Sequence, residues 1–247
     1  GAAAGVGHDD PDVLQTDYAF SDDDGVTWTH RRITSAIKDP SWNGIFAASG
    51  QGIQLRYGPH AGRLVQQYVI RRGKEMWAAS AYSDDHGETW RMGQLVGPGA
   101  DENKTVELSD GRLLLNSRAK PYRKVAFSSD GGATWTGWRD EPQLIDPANN
   151  GAIVRVHPDA AAGSAPAREL LFINTESRDR REQLVIKRSC DDGATWTARA
   201  VLEPGGASYA TLARLPDGRM GVLYERGTVS AIVFAVFDPA TLGACPL

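Results

Sequence analysis

SDDDGVTW at 21–28 returns as SDDHGETW at 83–90, SSDGGATW at 128–135 and SCDDGATW at 189–196. All four fit S-x-D-x-G-x-T-W, with five of eight positions fixed. Self-similarity of this kind marks a chain built from repeated structural units. The residue types describe a β-hairpin turn. Asp and Gly satisfy a tight backbone, the Ser and Thr hydroxyls bond locally, and the Trp packs between sheets. Successive boxes start 62, 45 and 61 residues apart, which suits four-stranded blades with loops of varying length better than a strict solenoid.

The intervals between boxes read as strands. GRLVQQYVI at 62–70, RLLLN at 112–116, ELLFI at 169–173 and GVLY at 221–224 are short, apolar and bounded by turn residues. SDGR at 109–112 and PDGR at 216–219 add D-G turns that lead into two of them. No long helical period competes. The Ala/Gly/Pro stretch at 158–166 reads as a surface loop and the charged run at 176–182 as a solvated edge. The reading is therefore one all-β domain over residues 1–247.

Bulk properties narrow the classes of function. With 27 basic and 31 acidic residues the net charge is -4, so no broad basic surface awaits a phosphate backbone and nucleic acid is not an expected partner. A small anion needs only a few converging arginines. No apolar run is long enough to span a bilayer. The five histidines are scattered without metal-ligand spacing, so neither a metal nor a cofactor is expected. Cys190 and Cys245 match no metal or C-x-x-C motif and read equally as a disulfide or as two buried thiols. The sequence opens Gly1-Ala2-Ala3-Ala4-Gly5, with no initiator Met or signal-peptide pattern, and the natural start is expected upstream.

The repeats resemble the Asp boxes of sialidases. AASGQGIQ at 47–54, DENK at 101–104, LNSR at 115–118 and ASYATL at 207–212 are similar to segments of actinobacterial sialidases. The resemblance covers essentially the whole chain. It implies a six-bladed β-propeller, here incomplete and lacking its first blade or more, in a secreted, monomeric enzyme without cofactor. The implied partners are sialylated glycans. The implied reaction is hydrolysis of terminal α-ketosidic sialic acid with retention, through a tyrosyl-enzyme intermediate.

The chemistry explains the residue types. The anomeric carbon of sialic acid carries a carboxylate that repels an anionic nucleophile, whereas a neutral phenol is not repelled. A phenol is a weak nucleophile at neutral pH and needs a carboxylate to take its proton. The resemblance assigns Tyr209, after the Gly205-Gly206 turn, as nucleophile and Glu102 as its base, with Glu107 the competitor in sequence. Arg118 and Arg181 resemble members of the family's arginine triad, which clamps the substrate carboxylate, and Asp101 is expected to touch substrate. The family's Arg-Ile-Pro segment and the general-acid Asp that follows it are not found; Asp9, Asp10 and Asp12 read as loop residues. The alternative is a non-catalytic Asp-box propeller that binds sialosides or a protein partner.

Overall fold

The computed structural model describes residues 3–227 and 229–245. Strands dominate, arranged as antiparallel sheets in sequence order. The first sheet pairs β1 (Asp17–Phe20) with β2 (Thr29–Arg32), and a one-turn helix α1 (Thr34–Ile37) leads onward. The second holds β3 (Gly44–Ala47), β4 (Ile53–Gln54), β5 (Leu64–Arg72), β6 (Glu75–Ser83) and β7 (Arg91–Met92). Here β3 and β4 pair with opposite ends of β5, so together they act as one first strand interrupted at 48–52. The third sheet runs β8 (Asn103–Glu107), β9 (Leu113–Ser117), β10 (Tyr122–Ser128) and β11 (Thr136–Ile145). The fourth runs β12 (Ala152–Arg155), β13 (Leu170–Thr175), β14 (Glu182–Ser189) and β15 (Ala198–Arg214).

Strand β15 belongs to two sheets. Up to Gly206 it pairs with β14; from Ala207 it pairs with β16 (Met220–Arg226), which in turn pairs with β17 (Ala231–Phe237). The expected turn at Gly205-Gly206 is thus a crossover inside one long strand. The first strands β4, β8, β12 and the second half of β15 lie side by side, which makes them the inner strands of a propeller whose sheets radiate outward. Five blade units are present among the described residues, and the first and last have fewer than four strands.

Each pair of neighbouring sheets closes an apolar layer. Leu114, Val125 and Leu144 meet Ile153, Leu170 and Phe172 between the third and fourth sheets. Leu171, Ile173, Leu184 and Ile186 meet Leu212, Met220 and Val222 between the fourth and fifth. The last sheet leaves Ile232 62% and Phe234 61% exposed.

The boxes behave as their residue types require. In the third, Asp130 accepts from Ser128 Oγ at 2.8 Å, Thr134 N at 2.9 Å and Thr134 Oγ1 at 2.6 Å, and Gly132 N donates to Ser128 Oγ at 2.9 Å. The same bonds recur around Asp23, Asp85 and Asp191. The turn needs two left-handed residues in a row: Asp24, His86, Gly131 and Asp192 have φ of 57 to 67°, followed by a Gly at 82 to 93°. Three of the tryptophans pack as expected: Trp90 and Trp135 join buried clusters, and Trp196 sits 5.8 Å from the Phe172 ring. Trp28 differs. It immediately precedes β2 of the two-stranded first sheet and is 57% exposed. The charged run also differs from a plain solvated edge, since Glu176 pairs with Lys187 at 2.6 Å and also with Arg199. Cys190 and Cys245 form a disulfide with Cα atoms 5.7 Å apart. No helix among the described residues is long and apolar enough to cross a membrane.

Candidate active site

Antiparallel alternation fixes where side chains can converge. The start of each first strand, the end of each second and the start of each third fall at one end of the propeller, and the boxes, at the third-to-fourth hairpin, fall at the other. Glu102 immediately precedes β8, Arg118 follows β9, Arg181 precedes β14, and Tyr209 opens the inner half of β15. Residues far apart in sequence on three sheets thus reach one end of the axis.

Their geometry is close. Tyr209 Oη donates to Glu102 Oε1 at 2.6 Å. Arg118 Nη1 donates to Glu102 Oε2 at 3.0 Å and to Tyr209 Oη at 3.0 Å. Asp101 Oδ2 lies 3.4 Å from Arg118 Nε, yet that nitrogen has no hydrogen-bond partner. The Arg181 guanidinium sits 5.5 Å from the Tyr209 ring centroid, and its Nη1 donates to Ser208 Oγ at 3.1 Å. Tyr209, Glu102, Arg118, Arg181 and Asp101 therefore form one group. Glu107 does not join it. It ends β8 and accepts from Arg56 N at 3.0 Å and Tyr57 N at 2.9 Å. Asp9, Asp10 and Asp12 lie outside strands in an N-terminal loop.

Burial and bonding set the charge states. Desolvation, reinforced by the hydrogen bond to Glu102, pushes the Tyr209 phenol up from its ordinary range. Burial works against the Arg118 cation, but the bond to Glu102 and the Asp101 charge outweigh it and hold the guanidinium more firmly protonated. The group thus places a phenol that holds its proton beside the Glu102 carboxyl and two arginine side chains.

The backbone aims Tyr209. Pairing of β15 with β16 shifts register between Ala207 and Ala210, a bulge that re-aims the side chain, and Tyr209 N donates to Glu225 Oε2 at 3.1 Å. Glu225 and Ser208 escape sequence reasoning; Ser208 lies within the ASYATL segment, whereas Glu225 carries no local signal. A cavity of about 300 Å3 opens beside Tyr209, bounded by Ser49, Asn150, Thr211, Glu225 and Ile232.

A buried polar network supports the group from behind. Arg123 and Asp146 are both fully buried and 3.2 Å apart. Arg123 Nε donates to Asn116 Oδ1 at 2.7 Å and its Nη1 to Asn149 O at 2.6 Å, while Asp146 accepts from Asn149 N at 2.6 Å and Asn174 Nδ2 at 2.9 Å. These contacts tie the third sheet to the fourth. Closer to the axis, Gly50 has φ +113°, a backbone conformation that favours glycine, and a Cβ there would also displace the Lys104 side chain, whose Cε would lie 2.6 Å away.

The chain matches the family model for the BNR repeat-like domain over residues 4–222. It is 55% identical over 98% of its length to a sialidase of Micromonospora viridifaciens, covering 38% of that protein. It is 29% identical over 84% of its length to a sialidase of Bacteroides fragilis, again covering 38% of the relative. Among solved structures, the Hadza microbial sialidase Hz136 superposes with a TM-score of 0.84 at 29% identity, over 98% of this chain and 47% of that one. The chain thus spans less than half the length of these relatives.

Proposed function

The chain belongs to the BNR repeat-like family, and from that membership we propose that it is the nucleophile-bearing section of a secreted exo-α-sialidase. Its substrates are glycoconjugates ending in α-ketosidic sialic acid. The observation that carries this reading is the 2.6 Å bond from Tyr209 Oη to Glu102 Oε1 with Arg118 bound to both.

The proposed reaction proceeds in two displacements. Arg118 and Arg181 receive the substrate carboxylate, offset its charge and present the anomeric carbon to the phenol; Asp101 braces Arg118. Glu102 takes the phenolic proton as Tyr209 Oη bonds to the anomeric carbon. The glycosidic bond breaks as the leaving oxygen accepts a proton from a general acid, giving a sialosyl-tyrosine. Water then attacks the same carbon and gives a proton to the conjugate base of the general acid, the phenolate leaves and regains its proton from Glu102, and the configuration is retained. A neutral phenol suits this role because burial and the bond to Glu102 hold its proton until the base removes it.

The general acid and a third arginine are proposed to come from another section of a larger propeller. The short coverage of the relatives and the exposed Ile232 and Phe234 on the last sheet support this division. Disulfide pairing of Cys190 with Cys245 supports an oxidising, extracellular setting. The test is release of a fluorophore from an α-sialoside by this chain and by a version extended upstream, each beside Tyr209→Phe. Release that the substitution abolishes supports the reading. No release from either form favours a sialoside-binding propeller.

A further inference from the structure

Arg118 and Arg181, the arginines proposed to receive the substrate carboxylate, stand on different sheets. Arg118 follows β9 of the third sheet and Arg181 precedes β14 of the fourth. Two guanidinium groups grip one carboxylate only if their separation is held, and each is carried by the loop between the second and third strands of its own sheet, 118–121 and 176–181. The loops are fixed at their bases. Arg118 N donates to Glu102 O at 2.8 Å, and Pro121 O accepts from Asp146 N at 3.1 Å. In the other loop Glu176 N donates to Gln183 O at 2.9 Å, and Arg181 O accepts from Ala207 N at 3.0 Å, which ties the Arg181 backbone to the fifth sheet.

Between the two loops runs one direct link. Arg178 Nη2 donates to Tyr122 Oη at 2.9 Å, and the guanidinium carbon of Arg178 lies 5.1 Å from the Tyr122 ring centroid. Tyr122 opens β10, four residues after Arg118, and Arg178 lies three residues before Arg181. Among the described residues no other hydrogen bond or ion pair joins segments 118–122 and 176–181. The choice of partner is informative. Asp179 is adjacent in sequence, and Arg180 pairs locally with Glu182 at 2.9 Å, whereas Arg178 reaches across to the next sheet and takes a phenol. Arg178 is exposed and Tyr122 half-buried, so the bond is not demanded by a buried group that must be satisfied. The sheets are already held by the apolar layer around Leu144 and Phe172 and by the Arg123–Asp146 network beneath. What the link adds is at the level of the loops.

We infer that Tyr122 and Arg178 form a clasp that sets the spacing of Arg118 and Arg181, which makes them positioning residues for the carboxylate; the inference rests on the sialoside reading of this site. A planar guanidinium that lies against a ring and also bonds its hydroxyl is held in two ways at once. The tip of the 176–181 loop is thereby fixed toward the third sheet, as its Arg181 end is fixed toward the fifth. The effect is selective for charge. Opening the clasp weakens a ligand whose carboxylate takes bonds from both arginines and spares one without that carboxylate.

The experiment compares sialic acid with its methyl ester, which keeps the sugar and loses the negative charge. Affinities are measured by NMR titration on this chain and on the upstream-extended form, for the parent, Tyr122→Phe, Arg178→Met and the two together. The dissociation constant of the acid is expected to rise about 5- to 10-fold in each single variant, and the double variant to be no worse than Arg178→Met alone, because the same link is broken. Arg178→Lys, which can still donate to the hydroxyl, should recover most of the loss. Ester affinity and Tm should stay at the parent's values. Parental affinity for the acid in Tyr122→Phe, additive losses in the double variant, or equal weakening of acid and ester would overturn the clasp and leave the sialoside reading intact. Failure of both parent forms to bind the acid would overturn that reading and the clasp with it.

Discussion

The Tyr209 hydroxyl donates to Glu102 Oε1 at 2.6 Å across 107 residues of sequence, and Arg118 Nη1 donates at 3.0 Å to that hydroxyl and at 3.0 Å to the other carboxylate oxygen, Glu102 Oε2. In the proposed mechanism the phenol loses its proton to the carboxylate within this pair, and the arginine compensates whichever oxygen holds the charge.

Glu102→Gln keeps an acceptor at hydrogen-bond distance and removes the proposed base. Sialoside turnover is expected to fall by about 10²- to 10⁴-fold with Tm unchanged. Steady-state kinetics beside a melting curve check this; turnover within a few-fold of the parent assigns the proton to another group.

Asp146→Ala removes the carboxylate facing fully buried Arg123 and strands Asn149 N as well. Loss of one partner of a buried pair costs about 3–5 kcal/mol, read as a fall in urea midpoint. A loss below about 1 kcal/mol would mean that the network contributes little to holding the third and fourth sheets together.

The boxes give the fold an acid limit. Hydrogen bonds from Thr27 and Thr89 hold Asp23 and Asp85 at about 2, and Thr134 and Thr195 outweigh burial to keep Asp130 and Asp191 below their usual range. All four have folded pKa values below their unfolded ones. Their stabilisation is therefore complete above about pH 4 and is lost as pH falls toward 2. Chemical denaturation between pH 7 and pH 2 should show this decline, and it should be shallower in the double variant Asp130→Asn, Asp191→Asn. An identical decline in that variant would place the acid sensitivity elsewhere.

Reduction of the Cys190–Cys245 bond, which closes a separation of 55 residues, is expected to lower stability by about 2–4 kcal/mol. Cys245→Ser should reproduce the effect of reductant and be insensitive to it; a Tm equal to the parent's would mean that the bond adds no stability.

How far the sequence could be read follows from which side chains report on structure locally. Each box contains its own hydrogen bonds, so the turns around Asp23, Asp85, Asp130 and Asp191 are legible from eight residues. The second and third strands, such as Leu170–Thr175, announce themselves by apolar runs. The inner strands do not: Asn103–Glu107 reads NKTVE and is nonetheless buried throughout, because its neighbours are inner strands of other sheets and its two charged residues find partners in other segments, Lys104 at Ser49 Oγ and Glu107 at the backbone of Arg56 and Tyr57. Tyr209, Glu102 and Arg118 were recognisable by resemblance, yet their meeting depends on strand ends that only topology brings together. Glu225 was invisible, since its contact is to the backbone of Tyr209 across a bulge. Trp28 has the box pattern of the three partly buried tryptophans but stays exposed, because burial depends on the neighbouring sheet and not on the box.

The central claim is that Tyr209 forms the bond to the sugar. A fluorinated sialosyl fluoride, whose substituent slows hydrolysis of a glycosyl-enzyme more than its formation, should leave a covalent adduct for mass spectrometry of proteolytic peptides. The expected result, in the form shown to release sialic acid, is one sialosyl group on the peptide containing Tyr209 and none in Tyr209→Phe. An adduct on Glu102 or Asp101, or full turnover by Tyr209→Phe, would contradict the account.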